Sequence, residues 1–332
     1  MTQQEAPSTE ADIPDRPRRL TRLSWLATRL VRALLVILGV VTVTFMLVRL
    51  TPGDPATVLC DNCSLADVEL LRDELGLRGS APEQYVRYVG GFITGDLGRS
   101  LRSRQKVVDI VAARLPVTLG LVLLTLLFTI AIAVPVGLLA ALRRHTWFGQ
   151  AFRISASLLV ALPVYFTGMV AILIFAVALN VTRSGGLDRG LLGAAGSLWL
   201  PALVLTIAIA PIAARVLQAS ITETLDQEFV EAAYVRDVGR YAYYWRYLLR
   251  PSLAPTIALI GYILGTLIGS AVLIELVFNL PGMGFTLIDA VAARDYPVVQ
   301  GLVFTAGIAV VLVTASADVV AAMIDPRTEA SR

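Results

Sequence analysis

Few side chains in this sequence could do chemistry. Cys60-Asp61-Asn62-Cys63 holds its only cysteines, and His145 is its only histidine. Two thiols at this spacing can close a disulfide, cycle as a redox pair or supply half of a tetrahedral metal site. The flanking residues lack the βαβ pattern of a thioredoxin-like centre, and a metal site would need two further ligands. A structural Cys60–Cys63 disulfide is expected if the segment faces an oxidising compartment, with two free thiols as the alternative. The sequence contains no HExxH, no GxSxG and no phosphate-cradling Walker A loop. The chain is therefore expected to carry no catalytic residue, cofactor or metal of its own.

The elements that must hold these residues are mostly hydrocarbon. Of 332 residues, 56% are apolar and only 16% charged, against about 25% charged in soluble domains. A membrane-spanning helix needs about 20 apolar residues. Six segments qualify: Arg29–Val48, Val117–Leu142, Ile154–Val181, Leu198–Ala214, Leu253–Ile274 and Val298–Val320. The fourth is short and contains Pro201 and Pro211. The expected fold is an all-α integral membrane protein with six transmembrane helices. Arginines Arg143, Arg144, Arg153, Arg215, Arg236, Arg240, Arg246 and Arg250 crowd two of the short connections. By the positive-inside rule these connections and both termini are cytoplasmic; segment 49–116 is long enough to be exempt. The arginines flank apolar runs and form no basic stripe, which excludes a nucleic-acid surface in favour of the lipid membrane.

Three regions follow: a disordered cytoplasmic tail at 1–28, a transmembrane domain at 29–324 and a cytoplasmic tail at 325–332. The external loop 49–116 begins with a turn at Thr51–Pro55. One short helix in it starts at Ser64, with Asp67 three residues on, and can end at Gly76. A second is expected around Glu83–Ile93, placing Tyr85, Val89 and Phe92 together. The cytoplasmic segment 219–250 is helical in pattern. Glu223, Asp226, Glu228 and Glu231 come early and Arg236 and Arg240 late, which complements the helix dipole. Leu225, Phe229, Ala232 and Ala233 form a small-headed apolar strip suited to a groove on another protein. An interfacial helix on lipid is the alternative, opposed by early acidic residues beside a negative leaflet.

Within the spans, Gly261, Gly265 and Gly269 recur every four residues on one helix face and permit close backbone approach. They suit either a packing surface near a pore or ordinary packing within the chain. Glu275 and Asp318 are near span ends, where a carboxylate can reach water.

Glu231-Ala232-Ala233 resembles the EAA motif of ABC-importer permeases. Glu228-Phe229-Val230 before it and RYLLRPSLAP after it resemble the dipeptide/oligopeptide branch. So do LTPGDP, ELGL at Glu74–Leu77, Gln84-Tyr85, GDLGRS at Gly95–Ser100, RLPVTL at Arg114–Leu119, Leu162-Pro163 and the GxxAAL end of the second span. GTLIGSAVLIELVFNLPGMG, DYPVVQG and DPR complete the series. The resemblance implies a type I ABC-importer permease fold with a helical external loop and a cytoplasmic coupling helix. It implies a second homologous permease in a heterodimer, two ATPase subunits binding ATP and Mg, and an extracytoplasmic peptide-binding protein at the inner (plasma) membrane. The chain would supply half the pore for di- or oligopeptides, with Glu228, Phe229, Glu231, Ala232, Ala233, Asp237 and Gly239 transmitting ATPase motion. Nickel, glutathione or oligosaccharide are alternative cargoes; a channel without ATPase is the reading outside this class. Asp237 stands where the motif has glycine, with Gly239 two residues later, and Pro251 lies one place beyond the motif's proline. A helix turning at Gly239 instead would put a positive φ there.

Overall fold

The computed structural model describes residues 31–46, 64–74, 78–188 and 190–324. The tails 1–28 and 325–332, the turn Thr51–Pro55 and the Cys60/Cys63 pair lie outside the described residues, as does Gly76. The helices are α1 (Val31–Met46), α2 (Leu65–Glu74), α3 (Ala81–Thr94), α4 (Val107–Leu142), α5 (Trp147–Ala161) and α6 (Val164–Ala171). There follow α7 (Leu191–Leu225), α8 (Glu228–Val235), α9 (Arg250–Val277), α10 (Met283–Ala292) and α11 (Tyr296–Ile324). A π-helical turn, Ile172–Ala178, extends α6; a helical turn Arg240–Ala242 and a π-helical stretch Tyr243–Leu249 lead into α9. Among the described residues no β-strand forms, only an isolated bridge between Arg99 and Lys106.

Among the described residues, four helices are long and apolar enough to cross a membrane: α4, and the stretches Ala195–Leu225, Pro255–Val277 and Tyr296–Ala317 of α7, α9 and α11. The expected third span is not one rod. It breaks at Leu162-Pro163 into α5 and α6, bent by 95°, and counts as a fifth crossing if the pair is one span. Proline removes an amide donor and pushes the preceding residue out of the helical region; Leu162 has ψ 126°. Helix α1 has 16 described residues, short of a crossing by itself.

Two boundaries also differ from expectation. Helix α4 starts at Val107, ten residues before the apolar run, because Lys106 and the packed residue Val107 anchor its first turn outside that run. Helix α7 runs from Leu191 to Leu225, straight through Pro201 and Pro211 and into the segment expected to be the cytoplasmic loop. A proline in a membrane helix persists where neighbouring helices pack around the gap it leaves, and Leu200, Ala202, Ala210 and Ala213 beside these prolines are buried.

The core is where α4 and α7 run side by side in the same direction. Gly120 approaches Leu198, Thr206 donates its hydroxyl to the Thr125 carbonyl at 3.4 Å, and Gly137 approaches the Ala214 carbonyl. A stripe of small residues, Ala133, Gly137 and Ala140, lets the backbones close together. Helix α9 returns antiparallel between α7 and α11. Gly261 leaves room only for Ala317 of α11, and Gly265 faces Thr314 and Val310, so these two glycines pack within the chain. Gly269 faces open space. Asp318 lies in α11, but its side chain is outside the described set.

The cap formed by α3 is pinned by aromatic rings. Tyr85 and Tyr88 contact Phe45 of α1 at 5.1 and 5.4 Å, and Phe92 lies 4.1 Å from Phe304 of α11. Ser80 and Glu83 form a reciprocal capping box, so α3 starts two residues before the expected Glu83. Gly95, at φ 78°, ends it.

Candidate functional site

Helix α8 is the element to which the sequence assigns function, and its mounting is rigid. Only Asp226 and Gln227 separate it from α7. Asp226 receives Arg144, just past the end of α4, at 3.0 Å, and Arg144 also reaches the Thr222 carbonyl at 3.5 Å. Gln227 caps the new helix, its carbonyl accepting the Val230 amide at 3.0 Å. On the far side, Thr224 of α7 and Ser252 of α9 share a buried hydrogen bond of 2.8 Å. Helix α8 is thus held between the ends of α7 and α9, the two membrane helices that enclose it in the chain.

The face α8 turns inward is small. Val230 and Ala233 are buried, 2% and 3% exposed, against the stretch that leads into α9. At about 100° per residue, Glu228, Glu231, Ala232 and Val235 lie opposite, and all four are exposed. Phe229 and Tyr234 flank them, half-exposed and largely exposed. Ala233, expected on the outward face with Glu231 and Ala232, therefore packs within its own chain. Leu225, expected in the same strip, belongs to α7. Helical periodicity gathers apolar residues into a strip, but it does not say which edge of that strip its own chain will cover.

The outward face begins acidic and ends basic, with Arg236 and Arg240 following the helix. Tyr234 and Tyr243 stand 6.3 Å apart, and Tyr243 packs at 5.5 Å on Tyr244. Burial, then the neighbouring phenols Tyr244 and Tyr234, push the Tyr243 hydroxyl above its usual range, so it stays neutral.

Helix α8 does not turn at Gly239, whose φ is −50°. It turns at Asp237, with φ 48°. The Asp237 amide reaches the Tyr234 carbonyl at 3.1 Å, and the Val238 amide reaches the Ala233 carbonyl at 3.3 Å. This is a left-handed helix end, the conformation glycine adopts most readily and Asp tolerates better than most. The left-handed residue is at the motif's glycine position even though glycine is absent from it.

At the opposite end of the bundle the sequence reading missed a built polar site. Glu275 was expected near water; it is fully buried. Its carboxylate accepts hydrogen bonds from the Thr118 hydroxyl at 2.6 Å and from the Gly284 and Phe285 amides at 2.7 and 3.0 Å. It satisfies the N-terminus of α10, where a helix has unpaired donors and positive dipole. Gly282 sits against that carboxylate, and a Cβ there would overlap it. Past the other end of α10, buried Asp295 accepts the Ser100 hydroxyl at 2.5 Å and the Leu101 amide at 3.1 Å. An acid seven residues before a Gly-x-Gly helix start was the available signal for the first site; nothing local linked Ser100 to Asp295.

Models of two families match this chain: "Binding-protein-dependent transport system inner membrane component" over residues 133–330, and the corresponding N-terminal component over residues 22–122. A protein of Brucella suis biovar 1, provisionally named a peptide permease protein, is 36% identical over 308 residues, covering 90% of this chain and 97% of its own. A protein of Brucella abortus (strain 2308), provisionally named a peptide transport system permease protein, is 36% identical over 304 residues, covering 90% and 96%. The nickel import system permease protein of Staphylococcus aureus (strain USA300) is 30% identical over 303 residues, covering 90% of each.

Proposed function

The chain belongs to the family of binding-protein-dependent transport system inner membrane components, and on that premise we propose that it forms half of a pore importing di- or oligopeptides. It is a multi-pass permease component of an ABC importer. We assign ATP and Mg to two ATPase subunits, the other half of the pore to a second permease, and cargo delivery to an external binding protein. The observation that supports coupling is the mounting of α8: its inner face is covered by its own chain, while Glu228, Phe229, Glu231 and Ala232 face outward. In this reading the outward face seats in an ATPase cleft, and Asp237 and Gly239 shape the exit turn. Of the α9 glycines, Gly269 faces open space and is assigned to contact with the second permease, while Gly261 and Gly265 pack α9 against α11.

The test is reconstitution with the ATPase subunits and binding protein, measuring hydrolysis together with peptide and nickel uptake. Ala232→Trp enlarges an exposed position, so the expected result is an intact melting transition with lost ATPase association or uncoupled hydrolysis. Full coupling in that variant overturns the assignment. Nickel uptake without peptide uptake would move the cargo to the class named for the staphylococcal relative. Reporter fusions after Asp226 should read cytoplasm and those after Asp61 the outside.

A further inference from the structure

Helix α3 has three sides, and the bundle covers only one of them. At about 100° per residue, Tyr85, Tyr88 and Phe92 share one side, Val86, Val89 and Ile93 the next, and Glu83, Arg87 and Thr94 the third. The first side meets Phe45 of α1 and Phe304 of α11. The Tyr85 hydroxyl also shares a hydrogen bond of 2.7 Å with Thr42 of α1. The third side is polar and exposed, which suits water. The second is apolar and yet uncovered: Val86 is 70% exposed and Ile93 82%.

The level of α3 along the spans tells what meets that second side. After α3 the chain turns through a hairpin, Gly98–Lys106, closed by the bridge between Arg99 and Lys106. Asp295, the residue before the α11 span, clamps this hairpin through the Ser100 hydroxyl and the Leu101 and Arg102 amides. Going back from the hairpin into α3, the contacts descend α11 in order. Gly98 faces Pro297, Leu97 faces Gly301 and Phe92 meets Phe304. Phe304 lies about 12 Å inside the apolar stretch that begins at Tyr296, at about 1.5 Å per residue. Helix α1 gives a similar level. Its Val40 faces Gly307, just beyond Phe304, and Phe45 lies only about 8 Å along α1 from that crossing.

A cap in water would rest on the ends of the spans, whereas α3 reaches its rings in among them. Amphipathic helices at a membrane surface lie about 5–10 Å into the boundary, apolar side down and polar side up. A helix lying that way against a bundle needs three sides, for protein, acyl chains and water, and α3 has them in that arrangement. Val43 and Met46 of α1, next to the Thr42 and Phe45 that hold α3, are exposed and apolar as well. The uncovered edge of α3 therefore continues the bare apolar surface of a span. We propose that α3 lies within the membrane boundary, with Val86 and Ile93 against lipid acyl chains, in the outer leaflet of the topology proposed above. Arg87, on the polar side, extends to the headgroups. The inference rests on the chain's place in a membrane and not on its cargo.

The experiment places single spin labels on the chain, in a Cys60→Ser/Cys63→Ser background, within the complex it purifies with in lipid nanodiscs. Labels introduced through Val86→Cys and Ile93→Cys are compared with those from Arg87→Cys and Thr94→Cys. Power saturation is measured against oxygen, which partitions into acyl chains, and against an aqueous nickel chelate. The expected result is a several-fold excess of oxygen over nickel relaxation at the first pair and the reverse at the second. Nickel-dominated relaxation at Val86 and Ile93 overturns the proposal, because the edge then faces water. Protection from both reagents also overturns it, because protein then covers the edge. Where the cysteine variants do not assemble, the unaltered complex is labelled with a lipid-soluble and a water-soluble diazirine, and insertion is mapped by mass spectrometry. Lipid-soluble probe at Val86 and Ile93 supports the proposal; insertion there from the aqueous probe alone, or from neither, overturns it. Neither measurement reads uptake, so a failure of the peptide-importer reading leaves this result distinguishable.

Discussion

Thr118 of α4 donates its hydroxyl hydrogen to the Glu275 carboxylate of α9 at 2.6 Å while accepting the Met283 amide of α10 at 2.9 Å. One hydroxyl thereby ties α4 to two helices, α9 and α10, whose bonded residues lie 157 and 165 positions further along the chain. Each of its bonds is buried, where a donor or acceptor left without a partner costs about 1–3 kcal/mol. Thr118→Val keeps the shape and removes both bonds. It should lower the melting temperature of the detergent-solubilised protein more than Thr305→Val, whose hydroxyl only bonds back to Gly301 on its own helix. Glu275→Gln retains an acceptor and should be milder than Glu275→Ala, which leaves the Gly284 and Phe285 amides open. Equal melting for Thr118→Val and Thr305→Val would show that the junction carries no particular stability.

Asp237 and Gly239 make a matched pair of tests at the end of α8. Asp237 holds φ 48°, a conformation costing a non-glycine residue roughly 1–2 kcal/mol. Asp237→Gly should raise stability and Asp237→Val should lower it. Gly239 has φ −50°, and a Cβ there meets nothing within 4 Å, so Gly239→Ala should be neutral. Thermal melts of the three variants decide the matter. A larger loss from Gly239→Ala than from Asp237→Val would relocate the turn.

The expected fold was largely readable because membrane spans announce themselves by length and hydropathy. The covered side of α8 was not readable. Ala232 and Ala233 are the same residue in adjacent places, and only the path of Tyr243–Leu249 decides which is buried. The Ser100–Asp295 clamp was invisible for a similar reason: it joins segments almost two hundred residues apart, with no periodicity to link them. The bend at Leu162-Pro163 was half readable, since proline marks a boundary but not its angle. Buried Glu275 does not show in the sequence, because a place near the end of a span does not fix a side chain's distance from water.

Glycines on α9 differ in what they face, and substitution should separate them. Gly261→Ala would overlap Ala317 and push α11 away, an overpacking cost of about 1–3 kcal/mol. Gly269→Ala enters open space and should leave the melting temperature unchanged or slightly raised, since alanine favours helix by about 1 kcal/mol over glycine. If Gly269→Ala leaves the isolated chain stable yet abolishes transport, that position meets the second permease instead of its own chain. Identical losses at the two positions would refute the distinction.

Asp295 has three donors and almost no exposure, so its removal leaves buried groups unpaired. Asp295→Ala should cost about 2–3 kcal/mol or more, and Ser100→Ala less, because the backbone amides keep their acceptor. Limited proteolysis after Arg102 and Arg104 reports the change directly: cleavage should accelerate in Asp295→Ala. Wild-type resistance in that variant would mean the hairpin holds its shape unaided.

The covered inner face of α8 has a kinetic consequence. A segment that folds only when its partner arrives loses conformational entropy at that moment, and its association is slowed by the wait for the right shape. Val230 and Ala233 are already buried against their own chain, so α8 has met that cost during its own folding. Whatever seats on it meets a finished surface, and the encounter is limited by collision and orientation. In the importer proposed above, no subunit has to wait for another to give this helix its form.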